Sequence, residues 1–126
     1  MEPGICLTNA EWKVMEQLWE TSPRTITQMV SALKDSTGWS KSTVIKLLER
    51  MEAKDAVYYR EGGRARLYYP AIPREEAALQ ETETFLQKVF GGEVSRMVNT
   101  MAERQVLTQK EIDELYAVLE KARQKL

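Results

Sequence analysis

Apolar residues in the centre of the chain repeat with the period of an amphipathic helix. Four of them occur at positions i, i+3, i+4 and i+7: Val44, Leu47, Leu48 and Met51. This spacing predicts a helix from Ser40 to about Asp55 with one buried stripe. Other residues follow the same spacing on the opposite face: Ser42, Ile45, Lys46 and Glu49. Ser40 is placed to cap the helix, and Trp39 before it can pack against Val44 as a hydrophobic staple.

Capping boxes mark the starts of two earlier helices. Thr8–Glu11 precedes a first apolar face, which consists of Trp12, Met15, Leu18 and Trp19, and Ser22-Pro23 ends that helix. Thr25–Gln28 marks the start of the second helix, which ends near Lys34. Its apolar stripe consists of Ile26, Met29, Val30 and Leu33. Residues 35–38 form the turn into the Ser40 helix. The pair is a helix-turn-helix candidate, although helical bundles that bind nothing contain similar turns.

A short β-hairpin is predicted after the Ser40 helix. Residues 56–60 and 66–70 are rich in Val, Tyr and Leu, and the loop 61–65 between them contains two adjacent glycines. The expected packed face consists of Val57, Tyr59, Leu67 and Tyr69. Three arginines would then cluster at the exposed tip, either on phosphate or simply in solvent: Arg60, Arg64 and Arg66. Helix, turn, helix and hairpin together are typical of a winged helix-turn-helix, a nucleic-acid-binding layout.

The segment 70–73, with a proline at each end, interrupts all periodicity and predicts a domain boundary. We expect a mainly α chain, with the winged domain in residues 1–71 and three helices in residues 72–126. These helices span about Arg74–Phe90, about Glu93–Arg104 and a third segment capped by Thr108–Glu111. Gly91-Gly92 ends the first of them.

The three C-terminal helices are too short to bury their apolar stripes among themselves. A partner surface is therefore implied, and a second copy of the chain is the simplest one, which predicts a homodimer. The candidate dimerisation residues are Phe85, Val89, Phe90, Val94, Met97, Val98, Met101, Ile112, Leu115 and Leu119.

Net charge does not by itself favour a nucleic-acid partner, because the whole chain carries -1 at pH 7 with an isoelectric point near 5.6. The distribution changes this picture. Residues 34–66 contain eight positive and five negative side chains, whereas residues 71–126 contain eight positive and ten negative ones. The positive charge lies in the predicted helix-turn-helix and hairpin, so modest non-specific DNA affinity is expected.

Composition excludes several functional classes. The single cysteine rules out an internal disulfide and any cysteine-cluster metal site, and the chain has no histidine to supply the missing ligands. Without histidine there is no Ser-His or Cys-His pair, and no phosphate-binding loop motif is present, so we expect no catalysis and no cofactor. No apolar run is long enough to span a bilayer, and the N-terminus lacks a signal-peptide pattern. We therefore expect a cytosolic protein without membrane insertion.

The chain resembles a known family, the penicillinase and methicillin-resistance repressors, over nearly its whole length. The matching residues are Leu7-Thr8, Glu11-Trp12 and Val14-Met15 in the first helix, Trp39-Ser40, Thr43-Val44 and Leu47-Leu48 in the central helix, Arg64 to Tyr69 in the hairpin, and Glu111-Ile112 with Glu114-Leu115 in the last helix. The resemblance implies a winged-helix homodimer that binds a palindromic operator in double-stranded DNA and dimerises through its C-terminal helices. It also implies that a membrane-bound sensor metalloprotease responds to a β-lactam and that the repressor is then cleaved in its dimerisation region.

Several residues depart from the family pattern. Lys41 stands where proline is usual, and Asp55 stands where glycine follows the helix, although aspartate tolerates a left-handed backbone better than most residues. The cysteine cluster of the copper-responsive relatives is missing, which disfavours copper sensing. The family cleavage site follows an asparagine that precedes phenylalanine. The corresponding bond here is Asn99-Thr100, where Asn99 is alternatively only a polar residue on the outer face of a helix.

From the helix pattern and the resemblance we predict a transcriptional repressor of β-lactamase or related resistance genes. Its candidate DNA contacts are Ser40, Lys41, Ser42, Thr43, Ile45, Lys46, Arg50, Arg60, Arg64 and Arg66. Two alternatives remain open at this stage. The winged helix could serve as an adaptor for protein contacts, or the repressor could be released by a small ligand rather than by proteolysis.

Overall fold

A computed structural model describes residues 4–126, which fold into two units, the first extending to Thr82 and the second from Glu83 to Leu126. The elements in chain order are α1 (Asn9–Glu20), α2 (Ile26–Thr37), α3 (Lys41–Ala53), β1 (Val57–Gly62), β2 (Ala65–Pro70), α4 (Arg74–Phe90), α5 (Val94–Glu103) and α6 (Gln109–Gln124). The mainly helical architecture with one hairpin confirms the predicted fold class.

Helices α1 to α3 enclose the core of the first unit. The predicted capping boxes begin α1 at Thr8 and α2 at Thr25. In each, the threonine hydroxyl accepts a hydrogen bond from the backbone amide three residues later, and the side chain of that later residue accepts one from the threonine amide. The largest buried apolar side chains come from all three helices: Met15, Leu18, Met29, Leu33, Leu48 and Met51. The start of α4 also belongs to this unit, because Ala77 is buried and the Trp19 indole nitrogen donates to the Ile72 carbonyl at 2.9 Å.

Helix α2 extends to Thr37, past the end predicted near Lys34. The reason is the C-cap: Gly38 has φ +68, and its amide donates to the Lys34 carbonyl at 2.8 Å. Such a left-handed residue is the usual end of a helix, and glycine adopts it without strain. The turn between α2 and α3 is therefore shorter than the sequence predicted.

The hairpin forms, but the predicted packed face of β2 was wrong. Tyr59 pairs with Tyr68 in the antiparallel register, so the buried β2 residue is Tyr68 and not Leu67 or Tyr69. Both backbone groups of Tyr68 also bond to Arg24, at 2.9 and 3.1 Å, which attaches the hairpin to the segment before α2. The strands are longer and the loop is shorter than predicted, because only Gly63 and Arg64 separate β1 from β2.

The second unit buries little of its own apolar surface. No residue of α5 or α6, both of which the structure describes in full, is buried. Across residues 4–126 there is no helix long and apolar enough to cross a bilayer, and no group of three or more acidic, cysteine or histidine side chains is placed to hold a metal ion.

Candidate nucleic-acid interface

Three hydroxyl groups surround the start of α3. The Ser40 hydroxyl accepts a hydrogen bond from the Thr43 amide at 3.3 Å, which confirms the predicted cap. The same oxygen lies 3.2 Å from the Ser42 hydroxyl and 3.1 Å from that of Thr43. Because the amides at a helix start attract anions, Ser40, Lys41 and Ser42 lie where a DNA phosphate would be favourable.

The two faces of α3 differ as the periodicity predicted. All four residues of the stripe are buried: Val44, Leu47, Leu48 and Met51. Among the candidate contacts on and beside this helix, Ser40, Lys41, Ser42, Lys46 and Arg50 are exposed, whereas Thr43 and Ile45 are half-buried. The helix has 13 residues and is therefore about 20 Å long. A major groove about 12 Å wide can accommodate it.

A buried carboxylate lies behind the end of α3. Glu11 of α1 is completely inaccessible to solvent, and its Oε1 atom accepts hydrogen bonds from the Thr8 amide and from Lys54 Nζ, both at 2.8 Å. Lys54 is the C-cap residue of α3 and also donates to the Cys6 carbonyl at 2.8 Å. A nitrogen of Arg50 lies 3.6 Å from the other oxygen, Oε2. These contacts tie the end of α3 to the start of α1.

The ionised form of Glu11 is stabilised despite its burial. Burial alone would raise the pKa of this carboxyl, but the hydrogen bonds from Lys54 and Thr8 and the Lys54 charge outweigh that effect and lower the pKa below its usual value. Glu11 is therefore charged at neutral pH, and Arg50 of α3 and Lys54 at its C-cap compensate that charge.

Asp55 allows the chain to leave α3 and enter the hairpin. Its φ is +62, the left-handed conformation in which the family pattern places glycine. Its amide donates to the Glu52 carbonyl at 3.0 Å, and the Ala56 amide donates to the Met51 carbonyl at 2.8 Å. The backbone therefore keeps the geometry that glycine would supply, and the expectation for Asp55 is confirmed.

The three arginines of the wing, residues 57–70, do not form one cluster. Arg60 pairs with Leu67, and Arg66 with Glu61, so the two arginines project from opposite faces of the hairpin. Arg64 lies in the two-residue turn after Gly63, whose φ is +84. The expected tip cluster is thus wrong in its geometry, although all three side chains are exposed. Each can meet a different part of a nucleic acid.

Tyrosine rings hold the two strand arginines in place. The Arg60 guanidinium lies 5.6 Å from the centre of the Tyr69 ring and 6.0 Å from that of Tyr58, and these rings stack at 5.2 Å. On the other face, Arg66 lies 4.1 Å from the centre of the Tyr59 ring. The nearby phenol groups of Tyr68 and Tyr59 raise the pKa of Arg66 above its usual value. Cation–π contacts of this kind restrict the arginines without removing their charge.

The candidate dimerisation residues line exposed apolar surface of the second unit. Seven of the ten are exposed (Phe85, Val89, Val94, Val98, Met101, Leu115 and Leu119), and three are half-buried (Phe90, Met97 and Ile112). A groove of about 720 Å³ between α5 and α6 is lined by Val98, Ala102, Gln105, Leu107, Ile112, Leu115, Tyr116 and Leu119. Apolar surface of this extent is characteristic of an interaction site.

The candidate cleavage bond lies within α5. Asn99 and Thr100 are both exposed, and the Thr100 hydroxyl donates to the Arg96 carbonyl at 2.9 Å. Since α5 contains no side chain that is buried within the single chain, little packing inside one copy opposes local opening of this helix.

Sequence reasoning missed the role of Glu11 and Lys54 behind α3. Glu11 was assigned to a capping box and to the family matches of the first helix, without any contact to α3. The available signal was its spacing, because it lies three, four and seven residues before Val14, Met15 and Leu18 on the buried stripe. A carboxylate at such a position needs a buried cation as partner. Nothing local indicates Lys54, which is 43 residues away in the chain.

The model of the penicillinase repressor family matches residues 7–121. The penicillinase repressor of Bacillus licheniformis is 29% identical over 114 residues, which cover 90% of this chain and 89% of that protein. Among solved structures, the DNA-binding domain of the repressor BlaI has a TM-score of 0.54 at 26% identity and covers 60% of this chain and 93% of that one. The Bacillus licheniformis BlaI monomeric form in complex with the blaP half-operator has a TM-score of 0.51 at 25% identity, with coverages of 60% and 90%. Since the family match spans most of the sequence, the chain belongs to the penicillinase repressor family.

Proposed function

We propose that this chain is a homodimeric transcriptional repressor that binds a palindromic operator and controls penicillinase or related resistance genes. The observation that carries the proposal is the exposed face of α3, capped at Ser40 and flanked by an arginine-bearing wing, in a member of this repressor family. A related domain binds a half-operator, which supports the same role for the first unit here. Membership of a repressor family also confirms the expectation that the protein is not an enzyme.

In this proposal α3 reads base edges and the wing binds the phosphate backbone. Lys46 and Ile45 lie in the middle of the helix, where a donor can meet guanine and an aliphatic group can meet the thymine methyl. The residues that contact DNA near the helix start are Ser40, Lys41, Ser42 and Thr43. The wing arginines, Arg60, Arg64 and Arg66, contact phosphate. Such backbone contacts orient a protein on DNA but carry no sequence information.

A second copy of the chain covers the apolar surface of the second unit. The support is that exposed apolar residues occur on all three of its helices, including Phe85 at 48%, Val94 at 56% and Leu119 at 63%. Burying these side chains would supply the hydrophobic stabilisation that one copy lacks. Two copies related by a twofold axis would also match the symmetry of a palindromic operator.

Repression ends when a membrane-bound sensor metalloprotease triggers cleavage at Asn99-Thr100. Exposure of both residues and the absence of buried side chains in α5 support this site. Release by a small ligand, with the chain intact, is the competing mechanism.

An adaptor that acts through protein contacts is favoured by one observation, the net charge of -1. Salt dependence separates the two functions. We expect the affinity for a duplex selected from a random pool to fall steeply with salt, with a log–log slope of about -0.9 for each phosphate neutralised. Fluorescence anisotropy of the labelled duplex between low and physiological salt measures this slope. An affinity for protein partners only, insensitive to salt, would support the adaptor.

Substitutions on α3 and the wing should have different effects. We expect Lys46→Ala and Ile45→Ala to change the preference among duplex variants, by about 1–3 kcal/mol at a contacted base pair. Arg64→Ala should weaken all sequences equally and reduce the salt slope by about one. Competition binding with single base-pair variants measures both effects. Equal losses on every sequence from all three substitutions would contradict the division between base and phosphate contacts.

A further inference from the structure

The two oxygens of the Glu11 carboxylate differ in the hydrogen bonds that they accept. Its Oε1 atom accepts two hydrogen bonds of 2.8 Å, from the Thr8 amide and Lys54 Nζ. Its Oε2 atom is buried and has no hydrogen-bond partner among residues 4–126. The Arg50 nitrogen that faces it is 3.6 Å away, which is an ion pair but too long for a hydrogen bond. A charged oxygen is therefore left without a donor from the described part of the chain.

An unsatisfied buried carboxylate oxygen is costly, so a donor that comes closer is stabilised. Solvent does not reach Oε2, whereas Arg50 already points a guanidinium nitrogen at it. Lys54 is less suited to this role, because its ammonium group already bonds to Oε1 and to the Cys6 carbonyl. A shift of well under 1 Å would place Arg50 at hydrogen-bonding distance from Oε2.

Arg50 lies at the border between the two faces of α3. It follows Lys46 by four residues, so both lie on one side of the helix, while Met51 next to it is buried. The Arg50 side chain is 58% exposed, so only part of it is occupied by Glu11. A guanidinium has five N–H donors in a flat fork, and one edge can bind a carboxylate while another binds a phosphate.

We propose that Glu11 and Arg50 form a phosphate clamp, in which buried Glu11 holds one edge of the Arg50 guanidinium and the other edge binds a DNA backbone phosphate. This inference rests on the proposed DNA-binding function. Within it, Glu11 is a positioning residue that never touches DNA, and Arg50 contacts the backbone rather than a base. Phosphate binding fixes the guanidinium, and the fixed guanidinium supplies Oε2 with its missing hydrogen bond. DNA binding and the contact between α1 and α3 therefore stabilise each other.

The clamp needs an arginine, which gives a test on an exposed side chain. Arg50→Lys keeps the charge but replaces the fork with a single ammonium, which cannot bridge two anions in the same geometry. We expect this variant to bind the selected duplex about three- to tenfold more weakly than the wild type at equal salt. Glu11→Gln keeps the side-chain shape and a capping-box residue, and we expect a loss of similar size.

Coupling between the two substitutions distinguishes a clamp from separate effects. We expect the Glu11→Gln, Arg50→Lys double variant to bind DNA as well as the single variant with the lower affinity. The reason is that either substitution alone already breaks the contact between Glu11 and Arg50. Glu52→Gln is the matched control, since it removes one negative charge from an exposed position on α3 and measures the general gain in attraction to DNA. Thermal unfolding of each variant shows whether it is folded at the binding temperature.

Three outcomes would overturn the clamp. These are wild-type affinity for Arg50→Lys, an effect of Glu11→Gln equal to that of Glu52→Gln, or losses that simply add in the double variant. Should Glu11→Gln fail to fold, the Arg50→Lys result decides alone. A wild-type protein that binds no duplex would overturn the proposed function and the clamp together, whereas salt-dependent wild-type binding with any of the three outcomes overturns only the clamp.

Discussion

Replacing Leu115 and Leu119 together by aspartate should convert the protein from a dimer to a monomer. Both side chains line the groove between α5 and α6, and they are 36% and 63% exposed in the single chain. If a second copy covers them, the double variant places four carboxylates in an apolar interface, where unpaired charges are strongly unfavourable. Sedimentation at micromolar concentration measures the change. A double variant that still sediments as a dimer would show that another surface holds the two chains together.

Operator affinity should fall in the same variant by more than any single contact would explain. A monomer meets one half-site at a time, so the second half-site no longer binds at the high effective concentration that the dimer provides, and a loss of about 10²-fold or more is expected. Ala117→Asp with Gln124→Asp is the matched control, because it adds the same charge to α6 at exposed positions outside the groove. This control should keep the dimer and the wild-type affinity.

The elements that short-range patterns specify were predicted well from the sequence. The stripe of α3, its Ser40 cap and the capping boxes of α1 and α2 depend on residues within one or two helical turns, so periodicity and cap spacing were sufficient. The end of α2 was placed too early because the apolar stripe stops at Leu33. The decisive signal was Gly38, which adopts the left-handed C-cap conformation.

The sequence did not determine which side chains of the wing face the core. The assumed five-residue loop, 61–65, gave a register in which Leu67 and Tyr69 faced the core. The observed turn contains only Gly63 and Arg64, with a positive φ at the glycine alone, as in a type II′ turn. A change of one residue in strand register moves every side chain to the other face, which brought Tyr68 into the core.

The candidate site also contains features that the sequence predicts and features that depend on tertiary packing. Exposure of Ser42, Lys46 and Arg50 follows from the helical period of α3, which the sequence contains. The contacts of Glu11 with Lys54 and Arg50 depend on how α1 packs against α3, and no local pattern encodes that packing. The arginine positions on the wing likewise depend on strand register.

Exposing cells that naturally produce this protein to a β-lactam should yield a fragment ending at Asn99, together with derepression. Proteases act on extended backbone, so α5 must first open around the Asn99-Thr100 bond. The helix has no buried side chain and begins just after Gly91 and Gly92, both of which have positive φ. Within one chain, opening therefore breaks few contacts beyond the helix's own hydrogen bonds, and in the proposed dimer it must also break the contacts that α5 makes with the second copy. Mass spectrometry of the intact chain and its fragments measures the cut.

Cleavage at this bond would separate the α6 part of the proposed dimer interface from the DNA-binding unit. Met101 and all of α6 follow the cut, so Leu115 and Leu119 would stay attached only through non-covalent contacts with α5. Association that was intramolecular becomes bimolecular and is lost at cellular concentration. We expect Asn99→Ala to keep the chain intact and genes repressed in the presence of the β-lactam, whereas Ser95→Ala, an exposed polar position one turn earlier in α5, should be cut like the wild type. Derepression with an intact wild-type chain would contradict proteolysis and favour release by a ligand, because only a bound molecule could then shift the repressor away from its DNA-bound state.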